Sequence, residues 1–292
     1  MSVHLGAAHQ GRLFALGSAT AFALIPPLGR LAYDAGASPG AVILVRLLFG
    51  ALAGAAVVLL LRRSWRIPRR DWLGTGIVCL AWIGVNVGYM ASFFYIPVSL
   101  AVLIFFTFPI LIAICGPLVA RQRPEPAIML LALLAFSGLA LALGPDLSGL
   151  DARGIGLAAI AAVGAATTFI VSQRLVVELD IFAFSFHLHA VCFAVVALGY
   201  AVLGLPDVPV AGGGWLALAG VAACYIAAVL LQFGAIRLAG PARAAVVFNA
   251  EPVLTMLGAA IILGELLGAW QLTGAALVIA AVLLSARVDR AP

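Results

Sequence analysis

The chain has 292 residues, 65% hydrophobic and 9% charged, and its formal net charge of +5 includes sixteen arginines and no lysine. A soluble domain carries roughly a quarter charged residues, so a mean hydropathy of +1.22 excludes a water-solvated surface over most of the chain. The arginines lie at the ends of apolar runs rather than on one soluble face, which argues against a nucleic-acid partner.

A helix needs about 20 predominantly apolar residues to cross a bilayer. Ten segments qualify, at 11–33, 38–61, 71–95, 98–120, 127–144, 153–173, 180–204, 213–237, 241–263 and 268–286. The expected fold class is an all-α membrane protein with ten transmembrane helices. The first segment contains Pro26 and Pro27 and is longer than a cleavable signal sequence, so it is expected to be a retained helix. The second carries Arg46 eight residues in, about 12 Å from its outer end.

The third segment places Trp82, Asn86, Tyr89 and Phe93 at i, i+4, i+7 and i+11, one polar-aromatic stripe. The fourth contains Pro109, and the sixth has a small-residue face, "GLAAIAAVGAATT". In the seventh, the histidines of "HLH" at 187–189 point to nearly opposite sides, so no shared metal is expected. His187 is the candidate cavity residue there, with ordinary packing as the competing reading. The eighth carries Tyr225 and Gln232. The ninth contains "FNAEPVL", in which Asn249 and Glu251 stand about 200° apart around the helix and Pro252 cannot donate to residue 248. Pro26, Pro27, Pro109 and Pro252 are the expected bend points, and Glu265 reads as a helix-end carboxylate.

The four cysteines all lie in apolar segments without metal or disulfide spacing, and no cofactor is implied. No HExxH, GxSxG or pair of helical acids four apart appears, so an enzyme is not expected. With the N-terminus inside, the inner connections collect thirteen arginines, including the run "RRSWRIPRR" at 62–70, against Arg30 and Arg153 outside. That asymmetry predicts both termini in the cytoplasm. The arginine run reads as the loop that fixes topology, with a lipid patch as the alternative.

A shift of 143 residues aligns the halves. "DWLGTGIVCLAWIGVNVGYMASFFYIPVSLAVLIFFTFP" falls on "GWLALAGVAACYIAAVLLQFGAIRLAGPARAAVVFNAEP", pairing Trp82 with Tyr225, Tyr89 with Gln232 and Pro109 with Pro252. Each half, 1–147 and 148–292, holds five spans. An odd number turns the second half upside down, giving a 5+5 inverted repeat within one transport unit. Inverted repeats characterise secondary transporters and place the substrate near the midplane where the repeats meet.

The residues "VSLAVLIFFTFPILIAI" and "FNAEPVLTMLGAAIILGELLGAWQLTGAALVIAAVLL" resemble the paired EamA-type domains of the drug/metabolite transporter superfamily. Shared features are Pro252, "LGE" at 263–265, Gly274 and, in the first half, Arg46 of "VRLLFGALAG". One departure is "RQRPEP", where Gln122 stands near the place of an expected acid. The resemblance implies a ten-helix carrier of the bacterial inner membrane that exports small metabolites, most like exporters of neutral or aromatic amino acids. A multidrug or other metabolite exporter and a channel-like facilitator are the alternatives.

A polar stripe does not face lipid cheaply, so Trp82, Asn86, Tyr89, Tyr225 and Gln232 are expected to line an inward cavity, with interhelical packing as the competing role. Arg46 holds a substrate carboxylate, pairs with Glu251 or reaches outward to backbone carbonyls. Glu251 either meets a substrate ammonium or coupling proton, or is fastened to a cation or hydroxyl. Asn249 joins the candidate set. The expected partners are a small-molecule substrate, the bilayer and protons, with no oligomer required.

Overall fold

The computed structural model describes residues 2–144, 150–210, 212–264 and 266–288. Among them, ten helices are long and apolar enough to cross a membrane: α1 (His9–Asp34), α2 (Pro39–Leu60), α3 (Arg69–Ser92), α4 (Val98–Val119), α5 (Pro126–Leu143), α6 (Ala152–Glu178), α7 (Ile181–Val202), α8 (Gly212–Ala239), α9 (Pro241–Leu263) and α10 (Ala269–Arg287). α6 continues beyond its expected end at 173 to Glu178. Past Arg174 the apolar Leu175 and Val176 are buried, and the end is held by Arg174, which pairs with Glu178 at 3.3 Å, and Arg70, which reaches Glu178 at 3.0 Å. Glu265 lies outside the described residues.

The helices pack as the repeat requires. α1 of the first half seats against α8 and α9 of the second, and α6 of the second seats against α3 and α4 of the first. Counterparts α2 and α7 face each other, as do α5 and α10. That exchange places a two-fold pseudo-axis through the middle of the molecule, where repeat mates meet. Trp82 Nε1 donates to Tyr225 Oη at 2.9 Å across 143 residues of sequence.

Contacts between connections join segments expected on the same side. On the arginine-rich side, Arg63 pairs with Asp180 at 2.6 Å, and Arg243 with Glu125 at 3.8 Å. On the other side, Ser38 N donates to Asp207 O at 3.0 Å, and Arg153 stands 4.5 Å from the Tyr95 ring centroid. There Asp151 caps α6 and accepts from Arg153, which holds its carboxyl below the usual value.

Three spans are not uniform helices. α4 is interrupted between Val98–Phe105 and Phe108–Val119, and α9 at Asn249, between Pro241–Phe248 and Ala250–Leu263. Each break falls two or three residues before Pro109 or Pro252, whose ring removes a donor and crowds the carbonyl one turn back. Polar side chains bond to carbonyls in the turn before each break: Thr107 Oγ1 donates to Ile104 O at 2.7 Å, and Asn249 Nδ2 to Val246 O at 3.3 Å. In α3 a π-helical turn spans Gly84–Gly88. α1, by contrast, stays helical through Pro26 and Pro27, so those two prolines do not open the backbone as Pro109 and Pro252 do. Membrane helices tolerate proline where neighbours and local adjustment accommodate the lost bond.

Small residues set how closely counterpart helices approach. Where α5 crosses α10, a Cβ added at Gly138 would lie 2.8 Å from Gly274 O, and one at Gly274 would lie 2.5 Å from Ala142 N. Gly274, shared with the family pattern, thus permits backbone contact between the last helices of the two halves. Gly138→Leu is expected to lower stability by about 1–3 kcal/mol through overpacking. Gly156→Leu, where an added Cβ meets nothing within 4 Å, leaves stability unchanged. Thermal unfolding of both variants in detergent checks this; equal midpoints would contradict it.

Candidate functional site

A cavity of about 120 Å³ lies at the centre, between the halves. Its wall is a belt of aromatic rings contributed by six helices. Tyr89 and Phe105 have centroids 4.6 Å apart, Phe105 and Phe108 5.3 Å, Phe108 and Phe169 5.6 Å, and Phe169 and Phe248 5.2 Å. Phe22 extends the series to Tyr225, 6.3 Å from Phe248 and 6.2 Å from Tyr225. Edge and tilted geometries of this kind add about 0.5–1.5 kcal/mol per pair beyond area burial, so the rings hold one another in place along the chamber wall.

The belt draws on the helix breaks. Phe105 and Phe248 are repeat mates and each ends the helical piece before its proline. The Pro109 and Pro252 amides cannot bond back to their carbonyls, so backbone acceptors are freed at the cavity edge.

Polar groups are few and specific. Asn86 Nδ2 donates to Trp82 O at 2.8 Å inside the π turn, and Asn86 Oδ1 accepts from Arg46 Nη2. The Arg46 guanidinium also stands 5.3 Å from the Tyr225 ring centroid, a cation–π contact. Its Nε is buried without a hydrogen-bond partner. Glu251 and Gln232 complete the lining. Among the described residues, no ion pair reaches Arg46 or Glu251. Arg46 is therefore neither paired with Glu251 nor turned outward, and Glu251 is not fastened by a cation. A buried charge without an ion pair is costly, and here one basic and one acidic side chain, neither in an ion pair, share one small chamber.

Most of the residues singled out in the sequence meet here: Arg46, Trp82, Asn86, Tyr89, Tyr225, Gln232 and Glu251 all line the cavity. Three do not. Asn249 is fully buried and turns its amide onto the carbonyls of Ala245 and Val246, in the last turn before the helix break, rather than into the chamber. Phe93 packs edge-on against Tyr89 at 4.9 Å, outside the chamber, one turn further along the chain and against the cluster of Ile96, Leu100, Ala101 and Ala158. His187 bonds the carbonyl of Ala183 at 2.8 Å and lines a separate crevice between α3 and α7.

The other histidine faces the centre. His189 is 1% exposed, stands edge-on to the Tyr225 ring at 5.3 Å, and has an Nε2 without a partner among the described residues. Sequence reasoning missed it, although the 143-residue shift places it opposite Arg46. The same shift pairs Phe105 with Phe248 and Phe108 with Glu251, a signal for the belt that a search confined to helices 3 and 8 does not use.

On the arginine-rich side a depression of about 250 Å³ is lined by Gln122, Glu125, Gln173 and Arg243 and reaches Ala113 and Ala242. From Phe108 to Ala113 along α4 is roughly 7–8 Å. In that interval the halves Phe108–Val119 and Pro241–Phe248 pack together, with Ala113, Ile128, Leu131, Ala132 and Val246 in one apolar cluster. The chamber is closed toward that face by about one and a half helical turns.

An all-helical membrane protein folded as an inverted repeat about a midplane chamber has the architecture of a membrane transporter. The EamA-like transporter family model matches residues 9–144 and again 152–287, and the chain belongs to that family. It is thus a multi-pass membrane transporter of the drug/metabolite superfamily. A crystal structure described only as "Crystal structure of protein" has the same fold, with a TM-score of 0.80 at 20% identity over 98% of this chain and 99% of its own. No curated relative matches the chain.

Proposed function

We infer that the protein exports neutral or aromatic amino acids across the bacterial inner membrane by alternating access, its repeats 1–147 and 148–292 working as one unit. The observation that supports this most is that Arg46, with its Nε left without a hydrogen-bond partner, and Glu251 line one aromatic-walled chamber with no ion pair to either among the described residues. A zwitterion satisfies both. Its carboxylate meets the guanidinium fork of Arg46, its ammonium meets Glu251 and the freed carbonyls beside Pro109 and Pro252, and an apolar side chain lies on the ring belt. Trp82, Asn86, Tyr89, Tyr225 and Gln232 hold the remaining contacts. Drug-sized ligands occupy pockets of roughly 300–1,000 Å³, so a chamber of about 120 Å³ favours a small metabolite.

Closure toward the arginine-rich face, read as cytoplasmic by the positive-inside rule, makes that packed layer the inner gate, with Pro109 and Pro252 at its hinges. Proteoliposomes loaded with unlabelled phenylalanine are expected to take up labelled phenylalanine faster than empty ones. Leucine and tryptophan should compete, and arginine and glutamate should not. Absence of trans-stimulation would leave a channel, and competition by no amino acid would remove the substrate class while leaving the transporter.

A further inference from the structure

A larger crevice opens away from the chamber, on the arginine-rich side, between α3 and α7. It encloses about 910 Å³ and is walled by Trp72, Leu80 and Ile83 of α3, Val191 of α7, and Trp65 and Arg66 of the α2–α3 loop. Trp72 and Leu80 are 61% and 72% exposed, so in a bilayer the crevice is open sideways to acyl chains.

The loop above it is held in place. Trp72 Nε1 donates to Ile67 O at 2.9 Å, the Trp65 ring meets Phe186 edge-on at 4.9 Å, and Arg63 and Arg70 are taken by Asp180 and Glu178. Arg62, Arg66 and Arg69 are exposed and, among the described residues, have no acidic partner. Fixing topology needs arginines in this loop but not a crevice beneath them. The counterpart connection after α7, "GLPDVPV" at 204–210, carries Asp207 and no arginine, so the combination exists on one leaflet only.

We propose that this crevice binds an anionic diacyl phospholipid, one acyl chain between α3 and α7 and the phosphate on Arg66, flanked by Arg62 and Arg69. Tryptophans sit at headgroup depth in membrane proteins, and basic pockets between transmembrane helices hold anionic headgroups. The apolar slot selects a lipid over a free phosphate, and the guanidinium groups select an anionic lipid over a zwitterionic one.

The test is native mass spectrometry of the delipidated protein titrated with phosphatidylglycerol or with phosphatidylcholine of the same chains. Phosphatidylglycerol adducts are expected at roughly tenfold lower lipid concentration. The triple variant Arg62→Gln, Arg66→Gln, Arg69→Gln loses that preference, whereas Arg121→Gln, Arg123→Gln, Arg287→Gln, on the same face, keeps it. Gly76→Trp, at a position where an added Cβ meets nothing within 4 Å, fills the slot and weakens both lipids. Phosphatidylglycerol brominated on its chains quenches the fluorescence of a Trp215→Phe, Trp270→Phe protein, whose other exposed tryptophans are gone, and adding Trp65→Phe with Trp72→Phe removes most of the quenching. Equal losses in the two triple variants, displacement by millimolar glycerol phosphate, or quenching unchanged without Trp65 and Trp72 would each overturn the proposal.

Discussion

Glu251→Gln protein in liposomes is expected to lose all stimulation of transport by a pH gradient, and its exchange without a gradient is expected to slow about 10- to 100-fold. The amide keeps the size of the side chain and the lining of the chamber but binds no proton and presents no negative charge to an ammonium. A hydrogen bond to a charged group contributes about 1.5–3 kcal/mol, which sets that range. Under the proposed exchange of a proton on Glu251 for substrate, protons entering drive substrate toward the acidic compartment, so the expected sign is fixed: acid outside accelerates export, and acid inside opposes it. The two roles of Glu251 separate cleanly. An unchanged pH response would remove proton coupling, and an unchanged exchange rate at uniform pH would remove the ammonium contact.

Arg46→Gln is the complementary experiment, read with two substrates. For an amino acid with a free carboxylate, the half-saturation concentration is expected to rise about 100-fold, the loss of a bidentate charged contact. For the matching amino-acid amide the rise should be under about threefold. Arg46→Lys keeps the charge but not the fork, and should fall between. Arg46 also donates to Asn86 and covers the Tyr225 ring, so a purely structural role predicts equal losses for acid and amide. That outcome would move Arg46 from the substrate to the scaffold.

How much of this is visible in one dimension follows from what each feature depends on. Span positions depend on local hydropathy, and the ten helices lie close to where composition puts them; only the end of α6, held by Arg174, Glu178 and Arg70, needs a through-space contact. Pro109 and Pro252 announce their breaks because the missing donor is a property of the residue itself. Pro26 and Pro27 have the same chemistry without the interruption, since the outcome turns on the surrounding helices. The stripe Trp82–Asn86–Tyr89 reaches the chamber, and its expected continuation stops at Phe93 because that ring lies a turn beyond the chamber, on a separate apolar cluster.

The chain alone thus determined the solvent, the number of crossings, the inverted duplication and the family, since all four are carried by residue type and spacing. Tertiary structure decided which of two neighbouring histidines faces the centre, that Asn249 turns onto the carbonyls before a break, and that seven rings from six helices form one belt around Arg46 and Glu251. The physical reason is distance: hydropathy and periodicity act over a turn or two of one helix, whereas a chamber exists only where α1, α3, α4, α6, α8 and α9 converge.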